Sequence, residues 1–165
     1  MQWLITAALF LLTLAAQATL ATRIGLLDAR PDFLIILVVQ MALVSPRVDS
    51  ILWSWGMGLL VDLHDGNPPG VLALTYLAVA MVTHRIRSEI FAGHIITRLL
   101  LVALADVLRH AALLVSEIAR GHPLHVLLFA RTAVISVAYT VVAAAVVLPL
   151  LGLTLKHVYP QGRRS

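Results

Sequence analysis

Val141-Val142-Ala143-Ala144-Ala145-Val146-Val147-Leu148-Pro149-Leu150-Leu151 is the stretch that decides the fold class. It carries no charge and no two-residue alternation, so it does not read as a membrane β-strand, whose lipid-facing and lumen-facing residues must alternate. Leu99 to Leu104 has the same character. In hydrocarbon every backbone N–H and C=O must be satisfied within the spanning structure, which leaves a helix for such a run. The rest of the 165-residue chain matches it, with 61% hydrophobic and 12% charged residues and a mean hydropathy of +0.97. A soluble domain holds about 45–50% apolar residues. The expected class is all-α, a polytopic membrane helix bundle.

A crossing needs about 20 helical residues, and the breaks in the sequence predict six spans, at about 3–21, 33–45, 51–63, 71–83, 94–115 and 124–153. Arg23 stops the first. Ala16-Gln17-Ala18 resembles a leader cleavage site, but no basic residue precedes the run, so it is read as a span. Pro31 stands where a missing N–H costs least, and Asp32 in a first turn where the helix dipole favours an anion. The second and third segments are short, and a re-entrant hairpin with five crossings is the alternative. Trp53 and Trp55 suit a membrane interface. His64-Asp65-Gly66-Asn67-Pro68-Pro69-Gly70 demands a defined turn. The whole of 1–165 is read as one membrane domain, with a short basic tail at 156–165.

Charge supplies the orientation. Net charge is +4 from twelve Lys and Arg against eight Asp and Glu, with most of the cations in loops and tail. Membrane orientation accounts for these cations without nucleic acid. With both termini cytoplasmic, Arg47, Arg85, Arg87, Lys156, Arg163 and Arg164 lie inside, against Arg23, Arg30 and Arg120 outside. The absence of cysteine removes disulfides, thiolate nucleophiles and thiolate metal sites.

Ionisable groups within spans are functional candidates by default. Asp62 ends the third span, read either as a cation site or as a carboxylate bonding the turn that follows; the second is favoured. Gly56 and Gly58 before it permit close helix approach. Asp106 and Arg109 share a face of the fifth span and are expected to neutralise each other, as a structural pair or a proton path. Arg131 has no acidic neighbour in sequence and must find Glu117, Asp106 or a lipid phosphate. His122 and His125 with Glu117 make a poor metal set, with Pro123 between the histidines and no fourth ligand. Nucleophile-elbow, phosphate-loop and zincin motifs are missing. No enzyme activity, metal or cofactor is expected.

Arg30-Pro31-Asp32-Phe33-Leu34-Ile35, then Gly56-Met57-Gly58-Leu59-Leu60-Val61-Asp62-Leu63, then Asp65-Gly66 and Pro69-Gly70-Val71-Leu72-Ala73-Leu74 together resemble the rod shape-determining MreD family. The resemblance implies a bacterial inner-membrane scaffold of the cell-wall elongation complex. Its partners would be an MreC-type periplasmic scaffold and, indirectly, an MreB-type filament and the glycan polymerase and transpeptidase pair. The family also looks like the substrate-binding subunits of energy-coupling-factor transporters in fold, so a small-solute or vitamin-binding subunit is the rival reading. Their Ala-x-x-x-Ala docking spacing is absent from Trp3 to Ala21. Pro31, Asp32, Gly56, Gly58, Asp62, Gly66, Pro69 and Gly70 are the structural or partner-contact candidates, and Asp106, Arg109 and Arg131 the intramembrane charges.

Overall fold

The computed structural model describes residues 2–23, 30–66, 68–87, 94–121 and 125–158. Among them the chain forms six helices and no strand: α1 (Gln2–Arg23), α2 (Phe33–Val44), α3 (Arg47–Asp65), α4 (Val71–Arg87), α5 (Ile95–Ala119) and α6 (Val126–Val158). α5 and the Leu127–Leu155 part of α6 are long and apolar enough to cross a membrane, whereas the apolar stretches Trp3–Thr19 and Phe33–Val44 are shorter.

α2 is the axis of the bundle. It packs against all five other helices, and every residue from Leu34 to Leu43 is buried. The cause lies in its sequence: Phe33 to Val44 is apolar on every side except at Gln40, and a helix without a polar face has no surface to give to water. Its length of about 18 Å at 1.5 Å per residue suffices for a core element wrapped by longer helices.

Both ends of α2 are closed by named groups. At the start, Asp32 Oδ1 accepts hydrogen bonds from the N–H groups of Leu34 (2.9 Å) and Ile35 (3.1 Å), satisfying donors that the first turn leaves without helical partners. At the finish, the Ser45 hydroxyl and N–H both donate to the Met41 carbonyl, at 2.6 and 2.8 Å. Arg87 Nη1, from the last turn of α4, reaches the carbonyls of Ala42 (3.4 Å) and Ser45 (3.3 Å), and Pro46 prevents continuation.

α3 and α4 form the most closely packed pair. A Cβ built on Gly58 would stand 2.4 Å from Ala73 Cα and 2.5 Å from the Leu72 carbonyl oxygen, so only glycine lets the two backbones touch here. Gly56 differs, since nothing lies within 4 Å of its would-be Cβ. α3 ends at Gly66, whose φ of +69° gives the left-handed cap that other residues resist.

Four elements clearly outrun their expected bounds. α3 starts at Arg47, taking in Asp49 and Ser50 ahead of the apolar stretch, α4 and α5 run on to Arg87 and Ala119, and α6 continues through Pro149 to Val158. Lys156, expected to begin the tail, is therefore helical. Arg163 and Arg164 lie outside the described residues, as do Asn67, Ser88, Glu89, His122 and Pro123.

Candidate functional site

The chemistry-bearing residues gather at the end of the bundle where α2 and α4 begin and α3 finishes. Asp32 is at its centre. With Oδ1 occupied by the α2 cap, its Oδ2 lies 2.8 Å from Arg109 Nε of α5 and accepts the Tyr76 hydroxyl of α4 at 3.4 Å. The Arg109 contact is a charge pairing without the alignment of a hydrogen bond. The Asp32 N–H donates to Thr140 Oγ1 of α6 at 3.1 Å, and the next N–H, of Phe33, to Gln17 Oε1 of α1 at 2.9 Å. Ser136, one helical turn from Thr140, donates to the Arg30 carbonyl at 2.9 Å. One turn of chain around Asp32 thus ties α1, α4, α5 and α6 to the start of α2.

Asp106 lies behind this junction and is fully buried. Its Oδ1 is 3.7 Å from Arg109 Nη1 and 3.3 Å from His110 Nδ1, but neither carboxyl oxygen has a hydrogen-bond donor. His110 Nδ1 points instead to the Asp106 main-chain oxygen at 2.9 Å. A carbonyl only accepts, so that nitrogen carries the proton. The expected mutual neutralisation of Asp106 and Arg109 is therefore incomplete: the closer partner of Arg109 is Asp32, from another helix.

Asp62 makes a second junction. Its oxygens accept from the N–H groups of Gly70 (2.9 Å), Leu72 (3.1 Å) and Ala73 (3.2 Å), so the carboxylate at the end of α3 caps the start of α4. Buried charge is tolerable here because it meets several N–H groups and the positive end of a helix dipole. With those contacts made, Asp62 has little capacity left for a cation.

Against the first junction lies a cavity of about 440 Å³, walled by Gln17, Asp32, Asp65, Tyr76, Arg109, His110 and Ser136 among others. Arg30 and Asp65 at its edge are exposed, while Asp106 is shut off from it. No set of three His, Asp or Glu suited to a metal occurs among the described residues. Glu117 pairs with Arg120 at 3.6 Å. Arg131 is exposed on α6 and joins no ion pair among the described residues.

Of the sequence candidates, Pro31, Asp32, Asp106 and Arg109 come together at the first junction, and Gly58, Asp62 and Gly70 at the second. Gly66 and Pro69 are exposed in the turn, and Gly56 and Arg131 belong to neither group. Tyr76, Ser136 and Thr140 are not among the sequence candidates, and Gln17 and Arg87 enter the sequence reading only within a leader-like tripeptide and as an orienting cation. Ser136 and Thr140 are four residues apart in a mostly apolar helix, a spacing that signals a polar seam on one face.

In comparison with known proteins, the family model described as rod shape-determining protein MreD matches residues 1–158. No curated protein and no solved structure matches, and the expected likeness in fold to transporter subunits gains no support from these comparisons.

Proposed function

The chain belongs to the rod shape-determining protein MreD family, and from that premise we propose that it is a non-catalytic membrane scaffold of the bacterial cell-wall elongation complex. Membership itself carries a role in rod shape determination and a place in a family of membrane proteins. The proposed partner is an MreC-type periplasmic scaffold, which would link it indirectly to an MreB-type filament and to the glycan polymerase and transpeptidase pair. The proposed placement is the bacterial inner membrane, with six crossings and both termini cytoplasmic.

The observation that carries this reading is the family match over nearly the whole chain. The geometry supports it through the use made of the buried charges. Asp32 and Asp62 are engaged in closing helix ends and joining helices, which gives a rigid body. The α3–α4 turn offers exposed Asp65, Gly66 and Pro69, held by the Gly66 cap and the Asp62 to Gly70 hydrogen bond. We assign the periplasmic contact to this turn.

Depletion in the rod-shaped native host tests the role. Rounded cells rescued by the intact chain are expected; normal rods after complete loss, with no second copy, would exclude it. Co-purification with the MreC-type protein tests the partner, and should fail when Asp65 and Pro69 are replaced together although the protein remains folded.

A further inference from the structure

We propose that the first turns of α6 form a binding site for an anionic phospholipid, with its phosphate on Arg131 and an acyl chain in the apolar trough beside it. The inference rests on the membrane placement proposed above. Arg131 is exposed and has no hydrogen bond or ion pair among the described residues. Its surroundings are apolar: Leu127 is 87% exposed, Val134 69% and Leu128 61%. These residues, with His125 and Ile135, line a shallow trough of about 790 Å³. An unpaired guanidinium on a lipid-facing surface is costly unless it finds an anion, and no carboxylate among the described residues is its partner.

Three features converge on the same place. Arg131 lies five residues beyond Val126, where α6 begins, which is about 7.5 Å along the axis at 1.5 Å per residue. Side chains on a helix lean toward its N-terminus, so the guanidinium can extend past Leu127 and Leu128 toward the headgroup level. His125 stands there, as do the N–H groups of the first turn of α6, which favour an anion. Phosphate suits this set better than an ammonium or a sugar, because arginine and helix N–H groups are all donors. The apolar trough continuing past Arg131 along Val134 and Ile135 suits the hydrocarbon chain attached to that phosphate.

The test is lipid retention by the full-length purified protein, read by native mass spectrometry after back-titration with phosphatidylglycerol or phosphatidylcholine. One phosphatidylglycerol should be held in preference to phosphatidylcholine. Arg131→Gln should weaken phosphatidylglycerol about tenfold, a change of about 1.4 kcal/mol, and Arg131→Lys should restore part of it. Arg120→Gln, which removes another exposed cation already paired with Glu117, should leave the preference intact. Arg131→Gln is expected to fold because the side chain is exposed, and circular dichroism checks this. Equal retention of the two lipids, or no effect of Arg131→Gln, would overturn the site. So would an equal loss in Arg120→Gln, which would mean diffuse attraction to anionic lipid. If Arg131→Gln instead removes a helical membrane partner from lipid-free detergent while lipid retention is unchanged, Arg131 pairs with protein and the lipid site is wrong. None of these outcomes depends on the rod-shape phenotype.

Discussion

Asp32 at the threshold of α2 and Arg109 in α5 meet at 2.8 Å although they are far apart in the chain, and this contact joins the central helix to one of the two long membrane-compatible helices. The same carboxylate caps α2 through Leu34 and Ile35. Charge pairing and helix capping are therefore combined in one buried group.

Replacing Asp32 separates those two duties. Asp32→Asn keeps a capping oxygen but strands Arg109, and breaking a buried pair from one side costs about 3–5 kcal/mol. Asp32→Ala should cost about 1 kcal/mol more through the lost cap. Thermal unfolding of the detergent-solubilised variants measures both, and Asp32→Asn with wild-type stability would show that the pair carries no weight.

Asp106 should behave in the opposite way. Its carboxyl oxygens lack hydrogen-bond donors in a fully buried setting and meet Arg109 only at 3.7 Å, so the isosteric Asp106→Asn gives up little. The expected change is within about 1 kcal/mol of wild type, or stabilising. A loss comparable to that of Asp32→Asn would mean that Arg109 depends equally on both carboxylates.

The two α3 glycines give a contrast of sterics. Gly58→Ala places a Cβ 2.4 Å from Ala73 Cα, and because the obstacle is backbone the helices must part. Gly56→Ala meets open space and should gain about 0.5–1 kcal/mol from helix propensity. Gly58→Leu should abolish co-purification with the partner scaffold, whereas Asp62→Asn, which retains one acceptor oxygen for the α4 cap, should keep much of it.

His84 makes stability depend on pH. It shares a hydrogen bond of 2.6 Å with Ser50, and burial, then Arg87 and Arg47, hold it below its usual value of 6.5. As pH falls, the unfolded chain takes up this proton before the folded one, so the stabilisation is complete above about 6.5 and declines below it. His84→Gln should flatten this part of the profile. An unchanged slope between pH 7 and pH 5 would assign the dependence to other groups.

The proposed topology predicts that a reporter fused after Ser165 reads cytoplasm and one inserted in the α3–α4 turn reads periplasm. Both reporters on one side would mean that α4, α5 and α6 do not all cross, and would break the six-crossing arrangement.

The sequence by itself determined the all-helical class and most helix boundaries, because those follow from local chemistry. Uncharged apolar runs must satisfy their own backbone groups, Pro31-Asp32 starts a helix, and Gly66 to Gly70 interrupts one. It also drew attention to Asp62 as a carboxylate beside a turn. Only the tertiary structure decided that α2 is the central helix, since a segment apolar on every side has no polar face to fix its orientation. Only it assigned Arg109 chiefly to Asp32, because the rule for neighbours three or four residues apart sees Asp106 and not a carboxylate from another helix. The opening stretch from Val141 to Leu151 announced a membrane helix, but the polar seam of Ser136 and Thr140 just before it ties that helix to the start of α2. Such a contact depends on which faces meet, and helix packing settles that through the shapes of all the surfaces at once.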